Sequence, residues 1–185
     1  MRTTVLSKAL VIACAVALAG VAASTARAVP LASGTWQAFF FGATGSTATG
    51  SPFTFESSSA AVVTVTDAFC AGDRLAVSDG AAILGTTTAV AVDMTCSNPF
   101  ESTPDAALAN PGYSSGRFVV GTGTHSIGIV ASTSPFGAGT AFIRYEVLTD
   151  AMCKSGGWMA LQPSFKNQGD CVSFVATGGS NGPAG

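Results

Sequence analysis

Apolar and polar residues alternate with a period of two along most of this chain, and no stretch sustains a helical period. The clearest run sets Ala141, Ile143, Tyr145 and Val147 against Phe142, Arg144, Glu146 and Leu148. Successive side chains of an extended strand point to opposite faces, so each such run has one face to bury. Shorter versions recur: Trp36, Ala38 and Phe40 within residues 35–41; Phe53 and Phe55; Ala61, Val63 and Val65; Leu75 and Val77, with Ile83 and Leu84 on a return strand; residues 89–94; Phe118 and Val120; His125, Ile127 and Ile129. Glycine- and proline-containing turns separate them. The pattern predicts an all-β fold, a two-sheet antiparallel β-sandwich of jelly-roll or CUB-like type with eight or nine strands.

Residues 67–85 form the densest stretch, with Asp67, Asp73, Asp79, Cys70 and three glycines. Asp79-Gly80 lies between two apolar runs and is a favoured pair for a type I′ hairpin turn. Residues 95–112 are irregular and hold Cys96, Pro99, Pro104 and Pro111. One short helical turn fits residues 105–109, with Asp105 as its cap. Beyond Asp150 the texture changes. Cys153, Gly156-Gly157-Trp158, Phe165 and Cys171 suggest a small disulfide-closed appendix ending in Val172–Val175. The expected division is a leader at 1–28, a β-sandwich at 29–150, the appendix at 151–176 and a disordered glycine-rich tail at 177–185.

The leader reads as a secretory signal. Arg2 and Lys8 are basic, residues 9–23 are nearly all apolar, and Ala26-Arg27-Ala28 gives a small-x-small cleavage pattern. The apolar run is shorter than the roughly 20 residues of a bilayer span. Val11-Ile12-Ala13-Cys14 resembles a lipoprotein box but leaves only five apolar residues after Lys8, short of the about 7–15 such a leader needs. A chain starting at Val29 keeps five basic residues and all ten acids, 5 − 10 = −5. That balance argues against nucleic acid, which needs a basic stripe, and against anionic lipid. No membrane span is expected after cleavage, and the expected location is extracellular.

Four cysteines remain, Cys70, Cys96, Cys153 and Cys171. An even number in an oxidising compartment implies disulfides. Three connectivities are open. Cys70–Cys96 with Cys153–Cys171 is preferred because each closes a local loop, worth about 3 kcal/mol in the loop-entropy picture. With no Cys-x-x-Cys and one histidine, zinc is not expected.

Candidate chemistries are few. His125 with a serine and an aspartate is a possible triad, but no Gly-x-Ser-x-Gly elbow is present. The plainer role for His125 is a strand-end hydrogen bond. Paired carboxylates for glycoside hydrolysis cannot be placed from Glu56, Glu101, Glu146 and the seven aspartates by spacing alone. Asp67, Asp73 and Asp79 around one loop and hairpin are the candidate calcium ligands. Against this, aspartates favour turns for local reasons, and Asp73 has Arg74 and Arg144 as candidate partners. No other cofactor is expected. Trp36, Phe39, Phe41, Phe136 and Trp158 suit a sugar-stacking platform or, more plainly, the core.

Three strings, residues 49–57, 63–87 and 114–144, which include Thr-Asp-Ala-Phe-Cys-Ala-Gly-Asp-Arg and Gly-Thr-His-Ser-Ile, resemble the ectodomains of bacterial exported PEP-CTERM proteins. The resemblance spans roughly Trp36 to Glu146 and implies an extracellular β-sandwich of no assigned activity. The Pro-Glu-Pro sorting end is missing, so membrane anchoring is not implied. Residues 153–174 resemble a two-cysteine C-terminal module of exported proteins from high-GC Gram-positive bacteria. The expected function is a secreted, non-enzymatic binding or cell-surface module with an unknown extracellular ligand, a glycan among the candidates. The alternatives are a small secreted hydrolase and a structural cell-envelope component.

Overall fold

The computed structural model describes residues 27–97, 100–161 and 163–181. Most of the expected leader, residues 1–26, lies outside them, as do residues 182–185. The chain is mostly β, in two sheets. The first orders β1 (Val29–Pro30), β3 (Phe53–Ser57), β9 (Gly123–Thr133), β5 (Arg74–Asp79) and β6 (Ala82–Thr86) side by side. The second orders β2 (Gln37–Phe41), β10 (Gly139–Val147) and β4 (Ala61–Cys70), with β8 (Ser115–Val120) and β7 (Phe100–Glu101) both on β4. The β1–β3 pair is parallel, so the first sheet is mixed rather than purely antiparallel. Among the described residues there are ten strands, of which eight have five residues or more.

The alternation explains the pairing. Phe53, Phe55, Leu75, Val77, Ile127 and Ile129 of the first sheet meet Val63, Val65, Phe118, Ala141 and Ile143 of the second in one buried cluster. Each of these side chains larger than alanine contributes roughly 1.5–3 kcal/mol of burial. Phe39 and Phe41 join this core while Phe40 is 62% exposed, the reverse of the face expected for residues 35–41. Three consecutive phenylalanines give no parity signal. The ladder decides, because Phe39 faces Ala141 and Phe41 faces Gly139, which point inward.

Three further expectations are corrected. Residues 89–94 make no strand; the Thr88 N–H bonds the Ser115 carbonyl just before the segment, and within it Asp93 accepts the Thr95 and Ser97 N–H groups. The β5–β6 loop is Gly80-Ala81 with Asp79 paired to Ala82. Of the two loop residues only Gly80 has positive φ, +54°, so no type I′ turn forms and Asp79 stays in the strand. Residues 105–109 do turn, as α1 (Pro104–Ala109), but Thr103 occupies the N-cap and Asp105 sits in the first turn.

Both cysteine pairs form as preferred, Cys70–Cys96 and Cys153–Cys171. The appendix is helical: α2 (Asp150–Cys153), a 3₁₀ turn at Gly157–Leu161 and α3 (Gln168–Ala176), so Val172–Val175 belongs to a helix. The Asn167 side chain caps α3 by accepting the Asp170 N–H at 2.9 Å. The appendix is not separate from the sheet. Leu161, Phe165, Phe174 and both cysteines share a buried cluster with Ala60, Val62 and Leu148. Residues 177–181 turn back on α3, with the Gly178 and Gly179 N–H groups on the Val175 and Phe174 carbonyls, rather than forming a loose tail. At the other end of the second sheet, Ala107 and Tyr113 cover Ala68 and Ala71. No described helix is long and apolar enough to cross a membrane.

Candidate functional site

The three candidate calcium ligands separate. Asp67 and Asp73 are buried together where β4 turns into β5, while Asp79 lies at the far end of β5. Among the described residues no three His, Cys, Asp or Glu side chains gather around one point. Asp67 staples the turn: Oδ1 accepts the Ala68 N–H at 2.9 Å and Oδ2 the Asp73 N–H at 3.3 Å. Burial, and then the charge of Asp73, push the Asp67 carboxyl up to about 8. Burial pushes Asp73 up to about 6, against the Ser134 hydroxyl beside it, which favours the ionised form. The cations expected beside Asp73 are engaged elsewhere. Arg74 bonds the Thr87 carbonyl and Thr86 Oγ1, and Arg144 faces Asp105 and Glu146. The arrangement is a pair of neighbouring acids held closed by burial.

His125 is buried at the start of β9, in phase with Ile127 and Ile129. Its Nδ1 meets Asp79 Oδ2 at 2.6 Å and its Nε2 meets the Gly121 carbonyl at 3.1 Å. Asp79 Oδ1 also accepts the Ser126 N–H at 2.8 Å. The ring continues a stack through Phe55, at 4.7 Å, to Tyr145. Asp79 supplies the orienting half of a triad. The nitrogen that would take a nucleophile's proton instead faces a backbone carbonyl, so the pair locks the ends of β5 and β9.

The most open chemistry lies elsewhere, on the outer face of the second sheet and its β8 edge. Arg144, Thr64 and Arg117 are aligned across β10, β4 and β8. α1 walls one side of this row and the C-terminal helices the other. Arg144 lies 4.2 Å over the Trp36 ring and 3.2 Å from Glu146, and Trp36 Nε1 donates to Asp105 Oδ1 at 2.9 Å. Arg117 has no ion-pair partner among the described residues. It lines three adjoining hollows of about 490, 240 and 250 Å³. The largest opens between the β6 and β8 edges, with Leu84 and Phe118 below and Thr86, Thr88, Ser115 and Ser164 around it. Gly116 and Gly85 admit the Phe118 ring, which would lie 2.7 and 3.2 Å from a β-carbon at those positions.

Of the aromatic set, Phe39 and Phe41 are core and Trp158 is packed against the appendix cluster. Trp36 stacks on Arg144 at one end of the Arg144–Arg117 row. The sequence reading missed Arg117 because a lone arginine in a short strand carries no motif. Its position between two covering elements comes from long-range pairing. Comparison with family models, curated proteins and solved structures gives no match.

Proposed function

We propose that the chain is an exported, non-enzymatic binding module, a β-sandwich of jelly-roll or CUB-like kind, whose extracellular ligand is a glycan seated against β8. The observation that carries this reading is the unpaired Arg117 at the meeting point of the three hollows. The largest hollow falls within the roughly 300–1,000 Å³ usual for small-ligand sites. Its lining sets hydroxyls around an apolar floor, which suits a sugar ring with polar edges and a C–H face. Two disulfides and the resemblance to exported ectodomains agree with an oxidising, extracellular setting. The hydrolase alternative has less support, since His125 Nε2 is turned to Gly121 rather than to a hydroxyl. A glycan array probed with the disulfide-bonded chain tests the proposal. Saturable binding to a defined set of glycans is expected, and an array without binding would overturn it.

A further inference from the structure

Resting on that binding reading, we infer that the ligand is an acidic saccharide whose carboxylate is received by Arg117. Beyond residue 28 the chain carries five basic residues against ten acids. In such a chain an arginine without a counter-ion is conspicuous. Arg74 is held by Thr86 and Thr87, Arg144 by Trp36, Asp105 and Glu146, and Lys154 lies 3.9 Å from Asp150, while Lys166, also without an ion-pair partner among the described residues, lines none of the three hollows. Glu146 shares one hollow with Arg117, yet its carboxylate is turned to Arg144. The Arg117 guanidinium is therefore free, in a concave setting, to present its planar fork to a carboxylate in the two-bond geometry that lysine cannot reproduce.

The backbone at the same residue separates a saccharide from a peptide. The Asp67 N–H bonds the Ser114 carbonyl, so by antiparallel alternation Ser115, Arg117 and Val119 turn their backbone groups to the free edge of β8. Thr88 already takes both of those of Ser115. Pro163 and Ser164 line the same hollow as Val119. The edge left open is essentially one residue long, too short for the run of main-chain bonds by which an extended peptide adds to a sheet. A compact ring fits instead: its carboxylate on the Arg117 fork, its hydroxyls toward the Arg117 main chain, Ser115 and Thr88, and its apolar face toward Phe118 and Leu84.

Calorimetric titration of the whole disulfide-bonded chain with an oligogalacturonate and with its carboxyl-reduced neutral counterpart tests this. The acidic sugar is expected to bind at least tenfold more tightly than the neutral one, with affinity falling as salt rises. Arg117→Ala should lose that preference and Arg117→Lys should recover only part of it, each variant keeping the parent circular dichroism spectrum. Equal binding of the two sugars, undisturbed by Arg117→Ala, would overturn the carboxylate assignment while leaving the binding module intact. An acidic peptide such as oligoglutamate binding as well as the uronate would overturn the saccharide assignment. Failure of every saccharide to bind would remove both readings.

Discussion

Replacing Asp67 with asparagine should flatten the dependence of stability on pH. Asp67 is fully buried, and its carboxyl is pushed up to about 8 beside Asp73, itself raised to about 6. Both values lie above the ordinary 3.8 of an unfolded aspartate. The folded state therefore holds protons that the unfolded chain has already released, and the stability they contribute is fully present below pH 4. It declines as pH rises, with two protons involved up to about 6 and one between about 6 and 8. One proton corresponds to about 1.4 kcal/mol per pH unit, so the pair alone removes about 3 kcal/mol between pH 6 and 8. Urea unfolding of the wild type and of Asp67→Asn, followed by tryptophan fluorescence at half-unit steps from pH 5 to 8.5, measures the effect. The difference between the two curves cancels every other titrating group. The variant should gain on the wild type by about 3 kcal/mol between pH 6 and 8, since an amide has no proton to lose. Parallel curves would show that the Asp67 carboxyl is not raised in the folded chain, and the burial argument would fail.

Three more outcomes follow from the packing. Gly139→Ala should destabilise by about 1–3 kcal/mol in thermal or urea unfolding, because a β-carbon there would sit 2.3 Å from the Phe41 ring and 2.6 Å from Asp73 Oδ2. Cys153→Ser/Cys171→Ser should lower stability by roughly 2–5 kcal/mol in chemical denaturation while the strand signal in circular dichroism persists, since both sulfurs lie in the cluster that covers Val62. Millimolar calcium should leave the melting temperature unchanged, because Asp79 is committed to His125 and Asp67 already accepts backbone N–H groups; a rise of several degrees would place a cation on the Asp67–Asp73 pair.

The two-layer β architecture is legible wherever alternation is unambiguous. His125, Ile127 and Ile129 are in phase in the sequence and buried together in β9. Parity fails at Phe39-Phe40-Phe41, where every residue is apolar and only the partner strand fixes the face. Helix fails to show at 168–176 because its packing face is built from a disulfide cysteine and Phe174, with no long apolar stripe. Asp67, Asp73 and Asp79 stand around one loop and hairpin in the sequence, but the strand between Asp73 and Asp79 carries the last of them away from the other two. Arg117 was invisible for the opposite reason, its surroundings being supplied by residues about 30 positions or more away, such as Leu84 and Pro163.

The shared cluster beneath the C-terminal helices also bears on how the chain is made. β4 is the central strand of the second sheet, and the residues that seal Val62 on its outer face, Leu161, Phe165 and Phe174, are about a hundred positions later. A chain emerging from the ribosome or threading a pore with its N-terminus first has every strand in hand before that seal exists. For that interval Ala60, Val62 and Leu148 lack their cover, and the exposed strip is a natural contact for a chaperone. The Cys153–Cys171 bridge lies inside that late-arriving cover, so its closure ties the C-terminal helices over the strip.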